Sequence, residues 1–240
     1  MTILNLFSII SSRRDKSGKQ QVINLNSTEL KKWKESFDLH FNWKEKLSPM
    51  VASTLALSTL SEDIDTGYYL AKQIFNITEI PQLNQNLILT SRLKKAKAMT
   101  NMSYVKCQVK VNRKNKELIN ITSTLIKTKK KKSQQGEPFF AKSQSWRKIN
   151  TTQIYKFSQY SSDPNQIHLT QDPVIQGMLL LLTLEDHLAS HNKLFKQATI
   201  TYSKPIKSNN QINLSWAKEN ELLGIVNNQI CFKLTIKEEF

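Results

Sequence analysis

Half-cystines, zinc-ligand spacings, long apolar runs and glycine are all scarce in this chain of 240 residues, which has two cysteines, five glycines, six prolines and four histidines. Cys107 and Cys231 lie far apart in alternating, strand-like surroundings, "YVKCQVKV" and "NQICFKLTI", where a small buried thiol fits. No CxxC pair or Cys/His metal spacing accompanies them, so a structural zinc site is not expected and a reducing compartment is the simpler inference. His187 and His191 stand at i and i+4, a spacing suited to one face of a metal site, but no third ligand accompanies them and no metal is expected. The longest apolar run, "GMLLLL", is far short of the ~20 residues of a membrane span, so no span is expected. The amino terminus, "MTILNLFSIISSRR", puts its apolar part ahead of its arginines and has no small-residue cleavage site, the wrong order for a secretory signal. An opening strand or helix in a cytoplasmic protein is the expectation, with organelle targeting as the alternative.

What the chain does have is positive charge. Lysine and arginine number 35 against 19 acidic residues, a net charge of +16. Residues 1–140 carry 24 of those cations against 11 carboxylates, whereas Ala141 onward has 11 against 8, so the excess belongs to the first half and its tail "KTKKKK", Lys127 to Lys132. Such a field concentrates anionic partners: nucleic acids, phosphate-bearing coenzymes or acidic carrier proteins. The sequence has no zinc finger, aromatic RNA-binding strand motif or basic zipper, so nucleic acid is not the expected partner.

The segment "KTKKKKSQQGEP" combines a charge run with Gly136 and Pro138 and reads as a basic linker over residues 127–138, between a first unit at 1–126 and a second at 139–240. Each unit repeats one order: a polar opening, an apolar helix, then alternating strands. Ser48 and Pro49 begin "SPMVASTLALSTLSED" as N-cap and first helical residue. Period-two stretches follow at 67–80, 85–101 and 103–128, the last broken by "NRKNKE". In the second unit Asp172 and Pro173 precede "VIQGMLLLLTLEDHLASH", a helix apolar almost all round and so wrapped by other structure. Strands follow at 195–206, 210–220 and 221–238. The pattern is α+β: a central helix against a curved antiparallel sheet, twice.

The stretch ahead of the second helix, "SSDPNQIH", sets Ser161, Asp163, Asn165 and His168 close together, and "IQGM" places Gly177 at the mouth of the apolar run. These residues and the order of elements around them resemble the MaoC-like hydratase/dehydratase family of the hot-dog fold. Its pattern is roughly Ser-Gly-Asp-x-Asn-Pro-hydrophobic-His, then Gly at the start of the central helix, usually preceded by His. Here Ser162 stands for the Gly, Gln166 for the Pro and Gln176 for the His, and His168 to Gly177 is a short interval. The resemblance implies a double hot-dog, two curved antiparallel sheets each wrapped around a central helix. The first half is then a degenerate copy without the Asp/His motif, and the second carries the chemistry.

The implied reaction is reversible hydration of a trans-2-enoyl thioester to the (R)-3-hydroxyacyl thioester, in fatty-acid metabolism. It needs two groups that handle protons and one donor for the thioester oxygen. Asp163 and His168 fit the first role, five residues apart in a segment that Pro164 bends. The amide of Gly177 at the helix amino end fits the second. Asn165 and Ser161 support the loop. No cofactor is implied beyond the coenzyme A or phosphopantetheine that carries the substrate. Arg147, Lys148, Lys204 and Lys207 are candidate phosphate contacts. Acyl-CoA or acyl carrier protein is the expected partner, and a homodimer is compatible. Two alternatives stand beside this reading: a non-catalytic acyl-thioester-binding or assembly protein, and a thioesterase on the same fold.

Overall fold

The computed structural model describes residues 8–15, 18–60, 63–64, 66–128 and 142–240. A hairpin opens the described chain, β1 (Ser8–Asp15) and β2 (Gly18–Asn24), and Asn26 starts helix α1 (Ser27–Phe37). There the Asn26 side chain accepts from the Glu29 amide while the Glu29 carboxylate accepts from the Asn26 amide, a reciprocal cap. Leu30, Trp33 and Phe37 form the buried stripe of α1. Helix α2 (Pro49–Ser58) begins with Ser48 as N-cap and Pro at its first position, as the sequence predicts. It is buried from Pro49 to Ala56, so it sits within the core rather than on a surface. Four strands follow: β3 (Tyr69–Ile77), β4 (Asn86–Ala98), β5 (Met102–Arg113) and β6 (Lys116–Thr128). Lys127 and Thr128 of the expected linker thus close β6, and the rest of it lies outside the described residues.

The second half repeats the plan. Strand β7 (Gln144–Arg147) leads to α3 (Thr151–Ser161), which Asn150 and Gln153 cap reciprocally. Helix α4 (Gly177–Ser190) follows, then β8 (Phe195–Tyr202), β9 (Ile212–Lys218), β10 (Glu221–Val226) and β11 (Gln229–Glu239). Helix α4 starts three residues later than the apolar run suggests, because Val174 bridges to Lys207 and the Ile175 amide donates to Ile206, which holds that stretch extended. The sequence pattern did not resolve α1 and α3, whose exposed faces are polar.

The sheet differs from the expected pair. The 11 strands of the described residues form one antiparallel sheet in the order β1-β2-β4-β5-β6-β3-β8-β11-β10-β9-β7. Leaving β1 aside, the order in one half mirrors the other, and the halves join edge to edge where β3 pairs with β8 from Lys72↔Thr201 to Asn76↔Gln197. Joining removes two exposed strand edges that separate sheets would present to solvent. On the helix side α1 meets α3 through Trp33, Phe37, Phe157 and Tyr160, whose rings pack at 4.8–6.2 Å between centroids. The two central helices α2 and α4 also touch.

Candidate active site

Helix α3 ends on Ser162, which adopts a left-handed conformation at φ 50° as its C-cap. That conformation favours glycine, the residue the resembled pattern has at this position. The reversal lets the Asp163 amide donate back to Ser158 and turns the chain out of the helix into the loop that carries the predicted pair. The Asp163 Oδ1 accepts from the Asn165 amide at 3.0 Å, which leaves Oδ2 directed elsewhere. It lies 3.5 Å from Nε2 of His168.

His168 closes a short 3-10 turn and is 7% exposed. Its Nδ1 lies 2.6 Å from the Val174 carbonyl oxygen, an acceptor only, so Nδ1 carries the proton and Nε2 faces Asp163 with its lone pair. Burial lowers the His168 pKa, opposed by the negative charge of Asp163 and the bond to Val174. The imidazole is therefore held neutral at neutral pH and can accept a proton at Nε2. The short interval after it is closed by its own backbone, since the Val174 amide returns to Ile167.

Asn165 has a structural task. Its side-chain oxygen accepts from the Gly67 amide at 3.0 Å and its nitrogen donates to the Tyr68 carbonyl at 2.7 Å. The Asp/His loop of the second half is thereby fastened to the segment preceding β3 in the first. Ser161 donates to the Phe157 carbonyl one turn back.

Gly177 is the first residue of α4, and no side chain caps this end. A Cβ built on it would come 2.7 Å from Leu70 Cδ2 and 3.2 Å from Tyr202 Cζ, so a side chain here would press on Leu70 of β3 and Tyr202 of β8. The neighbouring Gln176 donates to the Ile154 carbonyl and to Ser158 Oγ, tying the start of α4 to α3. Tyr202 donates to the Gly177 carbonyl at 3.0 Å and approaches Gln73 Oε1 at 3.3 Å. Burial raises the Tyr202 pKa, so it stays a donor. Tyr202 and Gln73 escaped the sequence reading, although strand alternation marks both: Tyr202 shares a face with Ala198 and Ile200, and Gln73 with Phe75 and Ile77.

A cavity of about 990 Å³ connects these groups. Asp163, Asn165, His168 and Gly177 line it on one side, and Leu57, Leu60, Leu125 and Tyr68 of the first half on the other. Most of the wall is apolar, with polar side chains from both halves set into it. Of the four expected phosphate contacts only Lys204 lines the cavity; its ammonium donates to Gln229 at 2.7 Å. Lys207 is exposed and paired with Asp172, and Lys148 is exposed away from the cavity. Arg147 lies toward the other end of α4, donating to the Phe37 carbonyl with Asp38 at 3.8 Å, within the fields of Asp38 and Asp186. Desolvation lowers its pKa, and its position suits a bolt between α1 and β7 rather than a contact to a ligand in the cavity.

Solved structures share this architecture. HtdX from Mycobacterium tuberculosis superposes with a TM-score of 0.68 over 90% of this chain and 98% of its own, at 12% identity. The chain has the fold of the MaoC-like dehydratases. A MaoC-like dehydratase from Phytophthora capsici matches over 99% of this chain and 98% of its own, with a TM-score of 0.65 and 11% identity. The full-length peroxisomal multifunctional enzyme type 2 of Drosophila melanogaster gives 0.67 at 14% identity over 91% of this chain, which spans 48% of that enzyme. No protein-family model matches the chain, and no curated protein matches it.

Proposed function

We propose that this chain interconverts trans-2-enoyl and (R)-3-hydroxyacyl thioesters by adding and removing water. The observation that carries the reading is the pair Asp163 and His168, 3.5 Å apart, in a largely apolar cavity beside the uncapped amino end of α4. Water adds its oxygen to the β carbon as Nε2 of His168 takes its proton, with Asp163 orienting the water. The proton so gained is then delivered to the α carbon, which returns the imidazole to its neutral form for the next turnover. Negative charge grows on the thioester oxygen meanwhile, and the free amides in the first turn of α4 meet it, aided by the helix dipole. Groups positioned this way contribute on the order of 10²–10⁴ from acid–base transfer and ~10²–10³ from one oxyanion donor.

The carrier is coenzyme A or a protein-bound phosphopantetheine, with the acyl chain in the apolar part of the cavity. The fold shared with MaoC-like dehydratases supports this choice. A thioesterase from Lactobacillus plantarum, described as a putative oleoyl thioesterase, has a related fold at a TM-score of 0.56, 9% identity and coverage of 92% of this chain, so ester cleavage is the competing reading. Incubation with crotonyl-CoA decides. Hydration removes the conjugated enoyl-thioester absorbance and releases no thiol. Thiol release shows a thioesterase, and binding with both signals unchanged shows a non-catalytic acyl-thioester protein.

A further inference from the structure

Strands β4 and β5 form a long hairpin in which every β4 residue from Arg92 to Ala98 is exposed. Register puts Lys95 directly opposite Lys106, Arg92 opposite Gln108 and Lys97 opposite Tyr104, so Arg92, Lys95, Lys97 and Lys106 share the outer face of the sheet. Lys106 stands opposite Thr124 of β6, and Thr124 opposite Lys72 of β3, which continues the row. The carboxylates of these strands are engaged at the other end, where Glu79 holds Arg113 and Lys116, and Glu117 holds Lys110. Among the described residues none of Arg92, Lys95, Lys97, Lys106 and Lys72 forms an ion pair. Facing lysines repel, while the inner face of β5 at the same level buries Val105 and Cys107.

The place of this field matters. The turn at the hairpin tip carries Asn101 and Met102, which line the cavity, together with Thr128, the register partner of Met102. A body resting on the cations therefore lies beside a tip that forms part of the cavity wall. The field runs ~17 Å along β4 from Arg92 to Lys97 and ~14 Å across from β4 to β3. A coenzyme A head, whose phosphates sit on a single nucleotide, covers only part of it. An acidic protein face covers it all.

We propose that the outer face of the β4–β5 hairpin docks an acidic carrier protein, which delivers its acyl group on a phosphopantetheine arm through the cavity mouth. The delivery step rests on the hydratase reading above, whereas the docking itself does not. The test uses the full chain and a variant with Lys95→Glu, Lys97→Glu and Lys106→Glu, plus a milder Lys→Ser triple at the same exposed positions. Labelled crotonyl acyl carrier protein is titrated against each, and turnover is followed on that protein, on crotonyl-CoA and on crotonyl N-acetylcysteamine. Electrostatic association is accelerated by about 10–10³. Carrier binding and kcat/KM on the carrier protein should accordingly fall at least about 10-fold in the Glu variant, less in the Ser variant, with both small thioesters nearly unaffected. Added salt should weaken carrier binding to the parent chain. Failure of the parent chain to bind the carrier protein, equal binding by all three proteins, or preference for a DNA duplex over the carrier protein would overturn the proposal. Binding without turnover of any thioester refutes the hydratase reading and leaves the docking face standing.

Discussion

The proposed role of His168 as a base rests on two contacts: the Val174 carbonyl accepts a hydrogen bond from Nδ1–H, and Asp163 stands across from Nε2. Burial, the largest influence, lowers its pKa below the ordinary 6.5. A protonated ring cannot accept the proton of water, so kcat/KM should rise with pH through a value under 6.5 and stay level above it. A pH–rate profile on crotonyl-CoA checks this; an acid limb centred above 6.5 would contradict it. The same shift makes stability fall as pH drops below 6.5, since the unfolded chain then binds a proton that the fold resists. Ser162 gives a second prediction at this scale. Its φ of 50° strains a side chain that glycine would lack. Ser162→Gly should raise unfolding free energy by roughly 0.5–1 kcal/mol, the left-handed penalty reduced by the added freedom of the unfolded chain. Chemical denaturation reads it.

Among the elements, the two central helices differ at their amino ends. That of α4 opens to the cavity, whereas that of α2 is closed by a carboxylate from α4: Glu185 Oε2 accepts from Ser48 Oγ at 2.5 Å and lies 3.4 Å from the Met50 amide. Burial pushes the Glu185 pKa up to about 8, with a smaller push from Asp186, against the bonds from Ser48 and Met50. A carboxyl whose folded pKa is raised makes the fold lose stability as pH climbs from 4.5 through about 8. The loss approaches ~1.4 kcal/mol per pH unit inside that window. Glu185→Gln should flatten this decline, visible as a Tm that changes less between pH 6 and 9 than that of the parent chain. The start of α2 was legible because Ser48 and Pro49 are local signals acting on their own helix. Helices α1 and α3 carried equally local signals in Asn26 with Glu29 and Asn150 with Gln153, but charged and polar surfaces obscured their short apolar stripes. The β3–β8 junction was beyond reach. Alternation tells which face of a strand is buried, not which partner it meets across more than a hundred residues of chain.

In the whole molecule, the two halves carry two central helix ends of which one opens to the cavity, and the loop bearing Asp163 and His168 depends on the other half for its place. Asn165 joins them through Gly67 and Tyr68, a linkage no motif could reveal because its partners are backbone groups almost a hundred residues away. Asn165→Ala should leave the Asp163–His168 pair present but loosely held, lowering kcat by about 10-fold or more with KM less changed, and costing ~1 kcal/mol for the part-buried groups of Gly67 and Tyr68 left unpaired. Steady-state kinetics beside thermal unfolding separates the two effects. The loop motif was legible as a cluster, and the fold explains how it is held: Ser162 turns the chain, Val174 orients the imidazole and Asn165 anchors the loop. The most direct test of the central claim is the rate at which enoyl-thioester absorbance disappears with Asp163→Asn and with His168→Ala, each shown to unfold cooperatively. Rates at least about 10²-fold below the parent chain in both are the expected result. Parent-like rates in both folded variants would contradict it.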